Sequence, residues 1–322
     1  MTPRIGCLAG VLAVFACGLT PSVGFGQTQG PESARSLNGH TFIPSNAIGD
    51  PFITTLVRTR TGGGFATKVR RDIENEVVDS LLQALVGDLA FMALEFEYQH
   101  AVTDWLALSA AASGAARIGT GPQSVLAEGI TSMFGFELRA KARALQTENW
   151  ILSGTLRIEP STQYRLDVLT FARRVIEEGM ISEDNSIVIK SEGVGGAAGL
   201  GGAYAPKPWL GLVFQGELGY ADTFSEAGRS SLAWNLGGLA SFDLDPLSGI
   251  PLGFIASIHQ DSFVVDNSDI TNEVTAFGWG VAYTGRGDFS LSLETSHARV
   301  PLIKSDQTIT ANLIGFNLRY FF

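Results

Sequence analysis

Apolar and polar residues alternate along most of this chain with a period of two, the spacing that sends successive β-strand side chains to opposite faces. The clearest run is about 131–145, where Phe134, Phe136, Leu138, Ala140 and Ala142 oppose Glu137, Arg139, Lys141 and Arg143. A second, about 88–100, sets Met92, Leu94, Phe96 and Tyr98 against Ala93, Glu95, Glu97 and Gln99. Twelve strands are predicted: about 52–65, 88–100, 105–117, 131–145, 150–159, 190–204, 210–220, 232–243, 252–264, 276–283, 289–294 and 308–322. The first is the weakest, with Ile53, Thr55, Val57 and Thr59 as its outer face before Gly62-Gly63-Gly64.

The connections carry a second pattern. Tight turns at 101–104, 146–149, 205–208, 244–249 and 284–288 alternate with longer links at 66–87, 119–130, 160–189, 222–230, 264–272 and 300–307. Strands of ~10 residues joined by alternating short and long links are the mark of a transmembrane antiparallel up-and-down β-barrel, with both termini at the short-turn side. Trp105, Trp150, Trp209 and Tyr283 stand beside the tight turns, where an interfacial aromatic girdle belongs. The expected fold is therefore an all-β barrel of about twelve strands. A soluble two-sheet sandwich also alternates, so alternation alone leaves that reading open. Two long links show helical spacing: Ile73, Val77, Leu81 and Leu85 within 72–86, and Leu166, Leu169, Ala172, Val175 and Ile176 within 162–178. Both suggest short helices in outer loops.

Composition sharpens this. Residues 1–26, with Arg4, an apolar run from Ile5 to Leu19, and small residues before Gln27, read as a secretory signal peptide. Val14-Phe15-Ala16-Cys17 loosely matches a lipoprotein box, from which the bulky Phe15 departs. Both cysteines, Cys7 and Cys17, fall inside the signal, which leaves no disulfide to propose. Residues 27–51 form a polar N-terminal segment, periplasmic or lumenal, and 52–322 the barrel. A net charge of −10 on an exported chain argues against a nucleic-acid partner.

The candidate chemistry lies on the inward faces. Strands three to five supply Arg117, Arg139, Lys141, Arg143 and Arg157; strands seven to eleven supply Glu217, Asp243, Asp261 and Glu294. Walls of opposite sign would set a transverse field across an open lumen and tune its selectivity; the same charges could instead pair and fill a closed one. His259 and Asp261 share the inward face of strand nine with Ser257, the one cluster resembling a catalytic or metal site. Gly193-Val194-Gly195-Gly196 and the glycines after it lack the helix and the Lys-Ser/Thr pair of a phosphate loop. No cofactor or metal site is predicted.

The closing stretch Thr308–Phe322 places Phe322, Tyr320, Leu318, Phe316 and Ile314 on one face. It resembles the last strand of Gram-negative outer-membrane barrels, whose C-terminal aromatic is read by the barrel-assembly machinery. That resemblance implies outer-membrane localisation, with membrane lipid and the assembly machinery as partners and Phe322 and Tyr320 as the assembly signal. Glu97-Tyr98-Gln99-His100 through Leu108 resembles a hairpin of outer-membrane transporters of the phenol-degradation meta-pathway type, relatives of the long-chain fatty acid channel. It implies passive uptake of a small solute, apolar or aromatic, by a protein that is not an enzyme. The alternatives are a hydrolase with a rim site at His259 and Asp261, or a structural or adhesive barrel.

Overall fold

The structure, a computed structural model, describes residues 35–71, 85–121, 130–166, 188–222, 230–264, 271–301 and 308–322. A small hairpin, β1 (Ser36–Leu37) and β2 (His40–Thr41), precedes twelve long strands. These are β3 (Leu56–Arg71), β4 (Leu85–Thr103), β5 (Leu106–Gly119), β6 (Ile130–Gln146), β7 (Trp150–Leu166), β8 (Val188–Lys207), β9 (Leu210–Asp222), β10 (Ser230–Asp243), β11 (Leu252–Val264), β12 (Thr271–Tyr283), β13 (Phe289–Pro301) and β14 (Thr308–Phe321). Each pairs antiparallel with its neighbours in sequence, and β14 closes on β3 from Phe321↔Leu56 to Ala311↔Ala66. A closed sheet has no unpaired edge, so every strand can meet hydrocarbon with its backbone satisfied.

The outside of the cylinder is apolar. Met92, Phe134, Leu138, Leu218, Trp279 and Ile314 project outward and are exposed, Met92 at 65% and Ile314 at 62%. A belt of this extent is at home in a bilayer and not in water. Near the tight turns Trp150 stacks on Tyr204 at 4.2 Å and Tyr320 meets Phe322 edge-on at 4.9 Å, forming part of an interfacial girdle. The protein is an outer-membrane β-barrel, and the sandwich alternative is set aside by the closed sheet and its apolar exterior.

Three local differences from the sequence reading have physical causes. The first strand starts at Leu56 instead of residue 52, because Phe52 is buried in the lumen and 51–55 belong to an inner segment. Residues 162–166, expected to begin a helix, continue β7, where Thr162, Gln163 and Tyr164 pair with β6 on one side and β8 on the other. Two ladders satisfy this backbone at once, whereas a helix start must meet its nucleation cost alone. Leu85 and Val86 likewise open β4, paired with Arg71 and Arg70 of β3, and are not helical. The remainder of both expected helices, and the signal peptide, lie outside the described residues. The tight link after β10 holds one helical turn, α1 (Asp245–Ser248), ended by Gly249 at φ 68°.

The core of this barrel is inside it. Leu37, Phe42, Ile43, Ile48 and Phe52 pack against Ile151, Val213, Leu239, Ile255 and Ala282 of the wall, filling the tight-turn half of the lumen. A second inward apolar cluster, Ala66, Leu89, Ala276, Ala298 and Ala311, lines the wall nearer the long links.

Candidate functional site

Residues 35–55 rise from the tight-turn end into the lumen and return to β3. The segment begins with a two-residue turn, Asn38-Gly39, at φ 49° and 77°. Left-handed conformation at both central residues is what an Asn-Gly hairpin turn supplies. Three contacts seat this hairpin against the turns: Asn38 N–H donates to Glu148 O (2.8 Å), Arg35 donates to Gly287 O (2.8 Å), and the Arg35 guanidinium lies 3.8 Å over the Phe321 ring. His40, fully buried, has Nδ1 3.1 Å from Pro208 O and Nε2 3.1 Å from Ser241 Oγ. Pro208 O can only accept, so Nδ1 carries the proton and Nε2 accepts from the serine. Burial pushes the imidazole down to about 4, against which the Pro208 bond acts only in part. It is therefore neutral at pH 7.

Beyond the hairpin the inner segment has no secondary structure, so its buried backbone groups need other partners. Barrel side chains provide them. Glu294 accepts from Asn46 N–H (2.9 Å) and Ser45 Oγ–H (2.9 Å), and Gln215 Oε1 accepts from Gly49 N–H (2.5 Å). Lys141 donates to Asp50 O (2.8 Å), Ser153 to Pro51 O (2.6 Å), Gln99 to Thr54 O (2.8 Å) and Arg60 to Asn46 O (2.6 Å). Room for the fit is made in the wall: a Cβ on Gly237 would stand 2.2 Å from Ile48 Cδ1. Asp50 is the electrostatic centre, 3.5 Å from Lys141 and ion-paired with the buried Arg319. Its burial would raise the carboxyl, but Lys141, Arg319 and Arg58 overcome that and hold it well below the usual carboxylate range.

Past the turn of this segment the lumen changes character. A polar chamber of about 290 Å³ opens, lined by five basic and five acidic side chains. On β3 and β4, Arg58 lies 2.8 Å from Glu95 and is also ion-paired with Glu97, while Arg60 Nε donates to Glu95 at 3.1 Å. On β6, Arg139 meets Glu137 two residues away at 2.9 Å. Arg157 reaches Glu159 at 2.8 Å, Glu217 at 3.0 Å and Glu137 at 3.7 Å. Arg157 on β7 and Glu217 on β9 are two strands apart, and they meet only because Gly199 between them presents no side chain. A Cβ there would fall 2.6 Å from Glu217 Cγ.

The nine inward residues singled out in the sequence separate into three groups. Arg139, Arg157 and Glu217 line the chamber. Lys141, which also borders the chamber, and Glu294 hold the inner segment. The others stand elsewhere: Arg117 near the long-link end of β5, Arg143 bonded to Gln146 at the tight-turn rim, and Asp243 accepting from Thr284 Oγ1 at 2.9 Å. Asp261 accepts from Asn235 and lies 3.5 Å from His259. Phe322 and Tyr320 face outward. Opposite signs are not sorted onto opposite walls, because Glu95, Glu97, Glu137 and Glu159 sit beside the arginines. On a strand face, residues two apart are within reach of each other, and there the charges pair. Arg58, Arg60, Asp50 and Arg319 are absent from the sequence-derived set. The signal for Arg58 and Arg60 was their shared parity in the first strand, obscured by an outer face of threonines. No hydrogen bond joins Ser257 to His259 among the described residues.

No protein-family model matches the sequence, and no curated protein sequence matches it. Among solved structures, the COG4313 outer membrane channel from Pseudomonas putida F1 superposes with a TM-score of 0.56 at 12% identity, over 87% of this chain and 100% of that one. The β-domain of the Bordetella autotransporter BrkA gives 0.49 at 13% identity, over 84% of this chain and all of the other. The CymD monoaromatic hydrocarbon channel gives 0.42 at 8%, over 84% and 89%. The first of these supports the barrel fold; at such identities none carries a residue's role across.

Proposed function

We propose that this barrel is a passive outer-membrane channel for a small solute and not an enzyme. The observation that carries the proposal is the polar chamber of about 290 Å³ in a lumen whose other half is narrowed by the packed inner segment. A barrel needing only stability gains little from such a space, since buried ion pairs add little net stability over apolar packing. The charged lining favours a polar solute over the apolar or aromatic one implied by the hairpin resemblance. An apolar body passing here would strip guanidiniums and carboxylates of water and partners. The inner segment narrows the path and sets its throughput low. Catalysis finds no support at the rim, where His259 faces Asp261 without a bonded nucleophile.

Reconstituted protein should give discrete, small conductance steps in a planar bilayer, and His259→Ala should leave them unchanged. A silent bilayer together with a hydrolytic activity that His259→Ala abolishes would reverse the assignment.

A further inference from the structure

The chamber also carries information about what it holds. Its walls bear equal numbers of positive and negative side chains, and those reaching furthest into the space come from both signs: the side chains of Arg60 and Arg157 are 28% exposed and that of Glu159 39%. A lumen built to pass anions would show unpaired cations, and one built for cations the reverse. Here each guanidinium is already shared, Arg60 with Glu95, and Arg157 with Glu137, Glu159 and Glu217.

From this arrangement we infer that the chamber is a binding site for a small zwitterion, a solute with a carboxylate and an ammonium on one short skeleton. The inference rests on the channel reading and names its solute class. A net anion entering this network must pull an arginine from its carboxylate and leave that carboxylate buried without compensation. A net cation does the same in reverse. A zwitterion exchanges both halves of a pair at once: its carboxylate takes the forked donors of Arg60 or Arg157, and its ammonium takes the released Glu95 or Glu217. The charge count of the chamber is unchanged and no group is left unpaired. Bidentate recognition of a carboxylate is what the planar guanidinium does best. The 3.7 Å contact between Arg157 and Glu137, the longest in the network, is the one most easily opened. The volume matches the liquid share of about ten waters, enough for a skeleton of a few carbons. The wall permits the approach, since β8 turns only small residues such as Ala197 and Gly199 toward the space between Arg157 and Glu217.

The test uses the full barrel in detergent and four probes of one size: 4-aminobutanoate, butanoate, butylammonium and butanamide. Calorimetric titration should show 4-aminobutanoate binding at least tenfold more tightly than any of the other three. The neutral double substitution Arg157→Gln with Glu217→Gln should weaken that binding at least tenfold, and Arg60→Gln with Glu95→Gln provides a second pair if the first fails to assemble. Heat-dependent gel mobility shows which variants keep the barrel. Equal binding of all four probes, tighter binding of butanoate or butylammonium, or no binding at all would each overturn the inference. Bilayer conductance is read separately. Conduction without zwitterion preference removes this inference and keeps the channel; zwitterion binding in a silent barrel removes the channel and keeps the site.

Discussion

At the scale of single residues, burial decides which inward polar groups are anchors and which are lining. His40 is the clearest anchor, because its neutral ring bridges Pro208 O and Ser241 Oγ only while Nε2 remains unprotonated. Its pKa is about 4 in the folded chain against 6.5 for an ordinary histidine. The released form of the segment therefore binds protons more readily, and the hold is complete above pH 6.5. As pH falls through that value toward about 4 the hold weakens, by up to about 3 kcal/mol at 1.36 kcal/mol per unit. Asp50 stays ionised through this range, so its pairs with Lys141 and Arg319 do not add to the step. Hydrogen exchange corrected for intrinsic rate should show residues 36–43 losing protection between pH 7 and pH 5 while the strands do not, and His40→Gln should lack the pH step. Protection of the hairpin that is flat with pH in the native chain would count against this account.

Among the elements, β14 shows how one strand serves two solvents. Phe322 and Tyr320 face outward, whereas Phe321, Arg319 and Asn317 face inward and are almost wholly buried. Phe321 packs inside the tight-turn end of the lumen beneath the Arg35 guanidinium. Phe321→Ala should therefore leave an assembled barrel whose inner segment is less well held, since truncating a buried Phe costs about 3–5 kcal/mol. Deleting Phe322 should act earlier, lowering the amount of barrel recovered in the outer membrane, because it removes the exposed end of the lipid-facing row. Membrane yield and hydrogen exchange at residues 35–43 separate the two: equal loss of yield in both variants would refute the division of roles. β8 is the opposite kind of element. Its inward alanines and glycines contribute little chemistry of their own and allow Arg157 and Glu217 to meet across it.

For the molecule as a whole, the sheet is closed, its outside is apolar and its inside is divided between a packed apolar half and a polar half that holds the chamber. Closure leaves no edge at which detergent or another chain can begin to pull the ladder apart. The purified protein should thus migrate faster in a detergent gel when unheated than after boiling, and should fractionate with outer membranes. Release in soluble form by osmotic shock would contradict the bilayer-facing exterior. The inner segment also gives the barrel a non-local core, since contacts such as Ser45 to Glu294 and Asp50 to Arg319 join positions 249 and 269 residues apart in sequence.

The strands, their number and the side most strand residues face were legible in the sequence; Ile53 and Thr55, read as outward, belong instead to the inner segment. A strand facing lipid must be apolar at every second position whatever its neighbours are, so Phe134, Leu138, Phe277 and Ile314 could be placed outward from local pattern alone. The turn positions followed from the same local logic, and the strand boundaries did so less well where two flanking ladders, as at 162–166, override a helical spacing. What could not be read was the use of the inward charges. Arg139 and Lys141 are two residues apart on one face of one strand, yet Arg139 pairs with Glu137 beside the chamber and Lys141 grips the carbonyls of residues 50 and 52. Parity gives the side of the sheet; the partner depends on which strands lie opposite and on what fills the barrel between them. Only the closed cylinder with residues 35–55 inside it decides that, because electrostatic pairing depends on distance in space and takes no account of distance along the chain.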